Sequence, residues 1–265
     1  MRSCYFCQVT QGISMIKSVF LSFIFFFVST PVFSSEENFI VLDALTGKIC
    51  KTIGIGAEER VSPCSTFKIP LSLMGFDSGV LEDGQSPTWS YQEGYSDFLE
   101  SWKADQTPLS WMKLSCIWYS QVLTAKLGLE KIQQYLSHLL YGNQDMTGDE
   151  GKNNGLTRAW ISSSLKISPQ EQVLFLQKLV LGQLAISAHA IEMTKQILFM
   201  EEFNGWKLFG KTGWGSPNKE IGWFVGWIEK EGRCYTFAYN ILAEKIDLPL
   251  RIPRTKQLLE EAGVL

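Results

Sequence analysis

Histidine is nearly absent. The 265 residues contain two, His138 and His189, and neither belongs to a recognisable triad motif. That scarcity weakens a Ser-His-Asp mechanism and a histidine-rich zinc site together. A basic surplus is also missing: the formal net charge is −3, whereas nucleic-acid binding usually shows as an excess of Lys and Arg. There are no internal repeats, low-complexity tracts or long linkers. An apolar fraction of 45% and a charged fraction of 19% are ordinary for a globular, core-forming chain. The apolar run at residues 19–28 falls short of the ~20 residues a membrane span needs. It follows Lys17 and leads to a small-residue exit, with Val32 and Ser34 at the minus-three and minus-one positions. This is the layout of a signal peptide over residues 1–34. Cleavage there would leave residues 35–265 as one domain with no membrane attachment. Cysteine is sparse, and Cys50, Cys64, Cys116 and Cys234 would survive cleavage. Export makes a disulfide possible, but the sequence does not pair them. Cys116 lies in an apolar run that suits a buried free thiol.

What is present divides the chain into strands at both ends and helices between. Residues 39–42 and 49–53 read as strands around a turn at Thr46-Gly47. From about 65 to 197 the pattern is mostly helical. Residues 109–127 carry apolar positions at helical spacing and stop at Gly128. Ser168-Pro169-Gln170-Glu171 reads as a helix start, with Ser as N-cap and Pro at the first position. Residues 206–211, 221–228 and 234–240 return to strands, and 255–262 form a closing helix. The expected fold class is mixed α/β: an antiparallel sheet built from both termini, carrying a helical subdomain at roughly 65–197. A cleft between sheet and helices is the natural place for a site.

Two short motifs carry chemistry. In Ser65-Thr66-Phe67-Lys68, helical spacing would turn the serine and the lysine into one pocket. A serine hydroxyl needs a neighbouring base before it attacks, and with histidine so scarce a lysine is the economical choice. Pro70 complicates that helix: it lacks an N–H, so either the helix begins a residue or two later or the turn is irregular. The second motif, Lys211-Thr212-Gly213, falls on an expected strand. Lysine offers charge to a substrate carboxylate, Thr212 a hydroxyl donor, and Gly213 room for a substrate backbone at the strand edge. Each motif alone is weak. In this order they form the serine penicillin-recognising pattern.

At this point the chain resembles the class D β-lactamases. Ser65-Thr66-Phe67-Lys68-Ile69-Pro70 is similar to the family's nucleophile motif. Ser115-Cys116-Ile117 resembles its Ser-x-Val, with Ile for Val. Ser120-Gln121-Val122 offers a second match, but Ser115 fits better because it lies thirteen residues before Gly128. Tyr141-Gly142-Asn143 matches the Tyr-Gly-Asn motif, and reads here as a structural turn. Trp160 with Leu165-Lys166-Ile167-Ser168 resembles the Trp and Leu-x-Ile-Ser segment. Leu248-Pro249-Leu250-Arg251 resembles the segment carrying a carboxylate-binding arginine. The resemblance runs in order from about residue 39 to 265.

The resemblance implies a penicillin-recognising serine hydrolase fold and hydrolysis of β-lactam antibiotics in the bacterial periplasm, conferring resistance. Ser65 would be the nucleophile. Lys68, carrying CO₂ as a carbamate, would be the general base, with no separate cofactor and no metal. Phe67, Ile117, Trp160 and Leu165 would line its pocket, and Trp160 would offer an indole N–H to the carbamate. Ser115 would relay a proton to the β-lactam nitrogen. The backbone N–H groups of Ser65 and Trp214 would form the oxyanion hole. Lys211, Thr212 and Arg251 would hold the substrate carboxylate. Trp102 would either border the cleft or pack. A transpeptidase or carboxypeptidase that deacylates slowly, and a non-enzymatic β-lactam sensor, share the fold. Substrate spectrum, and whether the chain is a monomer or a homodimer, are not legible at this level.

Overall fold

In the computed structural model, residues 35–265 are described; the expected signal peptide lies outside them. The described chain opens with β1 (Glu36–Asp43) and β2 (Ile49–Ile53), paired antiparallel. Their turn is held by Asp43 Oδ1, which accepts from the N–H groups of Leu45 at 2.9 Å and Thr46 at 3.0 Å. Along β1, Phe39 and Val41 enter one apolar cluster and Ile40 and Leu42 the other. Alternation places these sets on opposite faces, so the sheet is covered on both sides.

A 3-10 turn over Cys64–Phe67 runs into α1 (Lys68–Asp77). The helical region continues with α2 (Pro108–Leu114), α3 (Ile117–Leu127), α4 (Leu129–Leu139), α5 (Gly155–Arg158), α6 (Pro169–Val180) and α7 (Ala188–Leu198). Then come β3 (Phe199–Phe203), β4 (Trp206–Gly215), β5 (Glu220–Lys230), β6 (Arg233–Ala243) and α8 (Arg251–Glu261). The six strands lie in the order β2-β1-β6-β5-β4-β3, every neighbour antiparallel. The first strand pairs with the last, Phe39 opposite Tyr239 and Val41 opposite Phe237. The mixed α/β class and the sheet drawn from both termini are as expected.

Both faces of the sheet are occupied. Leu258 and Leu259 of α8 pack with Phe39, Val41, Phe224 and Phe237 on one side. The large core on the other side joins Ile40, Val225 and Trp227 to helical residues such as Leu73, Trp118 and Leu176. Ser168 caps α6 as anticipated: its Oγ accepts from the Glu171 N–H at 3.2 Å, and Glu171 Oε2 accepts from the Ser168 N–H at 2.9 Å. This is a reciprocal capping box. α6 packs against β6, β1 and β5, so part of the helical region lies directly on the sheet.

Three readings of the chain need correction. Residues 109–127 form two helices, α2 and α3, broken at Ser115, whose φ of 57° and ψ of 30° are left-handed. The periodicity runs through the break because Trp111, Met112, Trp118 and Leu123 all enter the same core. β3 gave no signal: it is short, alternates only weakly in burial and follows α7 without a turn. β4 extends to Gly215, four residues beyond the expected end, which places Lys211-Thr212-Gly213 inside a strand. The four described cysteines are free: Cys64 and Cys116 are buried, Cys50 is exposed and Cys234 is half-buried. Among the described residues no helix is long and apolar enough to cross a membrane.

Candidate active site

The turn that carries Ser65 resolves the difficulty raised by Pro70. Cys64 has a φ of 51°, and the 3-10 turn it begins carries Ser65 up to Lys68, the first residue of α1. Pro70 is therefore the third residue of α1, within the first turn, where an N–H has no intrahelical partner to lose. Lys68 Nζ lies 3.4 Å from Ser65 Oγ. The lysine is 1% exposed. Burial pulls its pKa down to about 7 from an ordinary 10.5, offset in part by the neighbouring thiols of Cys116 and Cys64. Those thiols are themselves pushed up to about 11 by burial, so among the described residues no anionic partner holds the ammonium. Phe67 stacks on Trp160 with ring centroids 5.3 Å apart. Trp160, Leu165 and Cys116 are buried in the same core, with Ile117 packed against it. Of the residues expected around Lys68, Phe67 and Trp160 are thus in direct contact with each other, and Leu165 and Ile117 belong to the same core.

The kink at Ser115 delivers the second serine. Lys211 Nζ donates to Ser115 Oγ in a very short hydrogen bond, and to the Thr212 carbonyl at 3.0 Å. Lys211 is 4% exposed. Burial, then the nearby charges of Lys68 and Arg251, hold its pKa well below the usual lysine range. Ser120 is elsewhere: fully buried, its Oγ accepts from the Trp111 indole at 2.9 Å. The geometry brings Ser115 to the lysine and leaves Ser120 in the core.

β4 packs against the turn that carries Ser65. A Cβ on Gly213 would lie 3.0 Å from the Pro63 carbonyl and 3.2 Å from Thr66 Cγ2. On its Cβ side this glycine therefore lies against the turn that carries Ser65. Trp214, the next residue, is 37% exposed, and its ring stacks on Phe98 with centroids 6.2 Å apart. Arg251 opens α8 and crosses β5 at Gly222, where a Cβ would lie 3.2 Å from Arg251 Cδ. Its Nη1 donates to the Gly213 carbonyl and its Nε to the Leu248 carbonyl, the latter at 2.8 Å. Lys211, Thr212, Gly213 and Arg251 therefore meet on one stretch of β4.

Several residues that hold this arrangement were not legible in the motifs. Ser62 Oγ donates to the Trp160 carbonyl at 2.9 Å, and the Trp223 indole donates to the Ser62 carbonyl at 2.9 Å. Gln172 donates to Thr66 at 3.0 Å. Gly222 carried one signal, a glycine inside an apolar strand. Tyr141-Gly142-Asn143 is a clamp rather than a reactive group. The Asn143 side chain donates to the Ser164 carbonyl at 2.8 Å and accepts from the Lys166 N–H at 2.8 Å. A Cβ on Gly142 would lie 2.1 Å from the Lys166 carbonyl. The motif holds the segment that carries Leu165. Trp102 packs: it is 3% exposed and donates to the Leu114 carbonyl. His189 contacts the Glu82 carbonyl, and His138 lies on the exposed side of α4. Among the described residues no group of three or more His, Cys, Asp or Glu side chains could hold a metal.

Known proteins share this organisation. The penicillin binding protein transpeptidase domain family matches residues 38–260. The chain is 41% identical over 238 residues to β-lactamase OXA-9 of Klebsiella pneumoniae, covering 85% of this chain and 86% of that one. It is 41% identical over 217 residues to β-lactamase OXA-1 of Escherichia coli, covering 79% and 78%. The crystal structure of the OXA-427 class D β-lactamase superposes with a TM-score of 0.79 at 41% identity, covering 85% of this chain and 99% of that one. Similarity of this extent, in sequence and in structure, makes the chain a member of the class D serine β-lactamases.

Proposed function

We propose that the chain hydrolyses β-lactam antibiotics through an acyl-enzyme on Ser65, with Lys68 as the base. The observation that carries this reading is the 3.4 Å approach of Lys68 Nζ to Ser65 Oγ in a pocket that keeps the amine near neutrality, at a pKa of about 7. Only an uncharged amine can take the serine proton or react with CO₂. The burial of Lys68 and the want of an anionic partner suit carboxylation, and Trp160 would donate its indole N–H to the added carboxylate. Once present, that carboxylate would serve as the general base at the same position.

The chain's own residues do the rest. Ser65 Oγ attacks the lactam carbonyl and gives its proton to the Lys68 side chain. The backbone N–H groups of Ser65 and Trp214 hold the developing oxyanion, each such donor being worth ~3 kcal/mol. The lactam C–N bond breaks and its nitrogen takes a proton from Ser115, which Lys211 contacts; the proton that the Lys68 side chain took from Ser65 passes to Ser115, leaving both as they began. Water then gives a proton to the freed Lys68 side chain and attacks the ester; the bond between the acyl carbon and Ser65 Oγ breaks, and Ser65 Oγ takes that proton back from Lys68. Arg251, Thr212 and Lys211 would hold the substrate carboxylate, Arg251 by its planar fork. Ile117, Leu165 and Phe67 keep the amine dry. Gly213 serves by letting the nucleophile turn lie against β4.

Residues 1–34 would direct export to the periplasm, where these antibiotics are met; a mature N-terminus at Ser35 by intact mass tests this. Bicarbonate tests the base. Added to CO₂-depleted enzyme it should raise turnover of a chromogenic cephalosporin, with a carbamate signal from labelled CO₂ in carbon NMR. Activity indifferent to bicarbonate, with no such signal, would remove carboxylation from the mechanism.

A further inference from the structure

We propose that Gln172 is a positioning residue for the reaction: acting through Thr66, it pins the carbonyl of Pro63, and with it the left-handed Cys64 and the attack geometry of Ser65. This rests on Ser65 being the nucleophile.

Gln172 is fully buried on α6, the helix whose capping box and sheet contacts make it a firm base. A buried amide is costly unless its hydrogen bonds are made. Here only the donor side is used. Nε2 donates to Thr66 Oγ1 at 3.0 Å and lies 3.5 Å from the Tyr141 hydroxyl, while Oε1 is buried without a partner. A residue kept only for packing would be better apolar, so the donor side is what the site requires. The bond is passed on: Thr66 Oγ1 donates to the Pro63 carbonyl at 2.7 Å, and the Thr66 N–H reaches the same oxygen at 3.1 Å.

That carbonyl belongs to the peptide immediately before Cys64. Its orientation sets the torsion at which Cys64 stands, +51°, where a residue other than glycine is strained and must be held by its surroundings. Cys64 leads directly into Ser65, whose Oγ must stay within reach of Lys68. The carbonyl also faces Gly213, within 3.0 Å of where a Cβ would be. This oxygen therefore lies where the nucleophile turn packs against β4, and Gln172 anchors it from α6.

The test measures acylation of Ser65 by a penicillin in single turnovers, followed by intact mass and peptide mapping. Gln172→Met fills nearly the same volume without donating. It should acylate at least ~10-fold more slowly with the penicillin concentration that half-saturates the acylation step little changed, since the carboxylate site is untouched. Its thermal midpoint should not fall, because an unpartnered buried acceptor is removed. Thr66→Val should match it, and Thr66→Ser, which keeps the hydroxyl, should stay within ~3-fold of wild type. The double variant Gln172→Met/Thr66→Val should be no slower than the slower single, as expected of two residues acting in one chain. Wild-type acylation by Gln172→Met, multiplied losses in the double variant, or Thr66→Ser as slow as Thr66→Val would each overturn the proposal. Should Gln172→Met not fold, the two Thr66 variants decide alone. An adduct mapped away from Ser65 in wild type would instead overturn the proposed nucleophile.

Discussion

A lysine 1% exposed with no acid beside it is a destabilising choice that a core would not make for packing. Burial lowers its pKa from 10.5 to about 7, so between those values the unfolded chain binds the proton that the folded one has released. Stability from this group therefore rises with pH from about 7 to 10.5, and the cost of the buried charge is complete below 7. Lys68→Met should abolish turnover and raise the thermal midpoint, by more at pH 6 than at pH 9 in CO₂-free buffer. Calorimetry at the two values checks it, and an equal change would mean the amine titrates normally. Arg251 belongs to the same scale. Arg251→Ala should raise KM ~10-fold while kcat stays within ~3-fold, the pattern of uniform binding loss. Gly222→Ala should move KM the same way, since a Cβ there meets the arginine stem at 3.2 Å. An unchanged KM in steady-state kinetics of Arg251→Ala would place the carboxylate elsewhere.

Between elements, the site depends on a helix that stops. The left-handed Ser115 ends α2 and starts the chain toward α3, which turns its hydroxyl onto Lys211. Glycine tolerates that backbone better than serine does. Ser115→Gly should therefore keep the kink and leave the thermal midpoint level or slightly higher, while kcat falls ~100-fold or more through loss of the relayed proton. Equal loss of stability and activity would mean the hydroxyl serves structure. This break also marks the limit of what residue patterns disclose. Both strand hairpins, the helix start at Ser168, the closing helix and the Ser65–Lys68 pair were legible because local spacing and turn residues dictate them. The Ser115 kink was not, because both helices bury apolar residues in one core and the period never falters. β3 was missed because a short edge strand needs little alternation. Gln172 and Ser62 were invisible, and Gly222 showed only as a glycine in an apolar strand, because each acts on a residue distant in sequence. Only the approach of α6, β4 and α8 to one turn gives them a function.

Over the whole molecule, the first strand pairs with the last and α8 covers their outer face. The chain between them folds as helices and returns the turn that carries Ser65 to β4. Sheet and helices share one core, in which Ile40, Trp227 and Trp118 belong to a single cluster. Unfolding should accordingly be cooperative. Phe237→Ala, a fully buried site on the face away from the cleft, should cost ~3–5 kcal/mol. In urea its fluorescence and activity should be lost at one midpoint; activity lost well before fluorescence would show that the cleft opens independently of the sheet. The claim on which the account turns is that Ser65 carries the substrate and the Lys68 side chain then releases it. Intact mass spectrometry of the protein mixed with a penicillin, sampled over time, tests it most directly. The account predicts one added penicillin on Ser65 that disappears as product accumulates, and no adduct in Ser65→Ala. An adduct that never clears, one that maps to another residue, or turnover that persists in Ser65→Ala would contradict it.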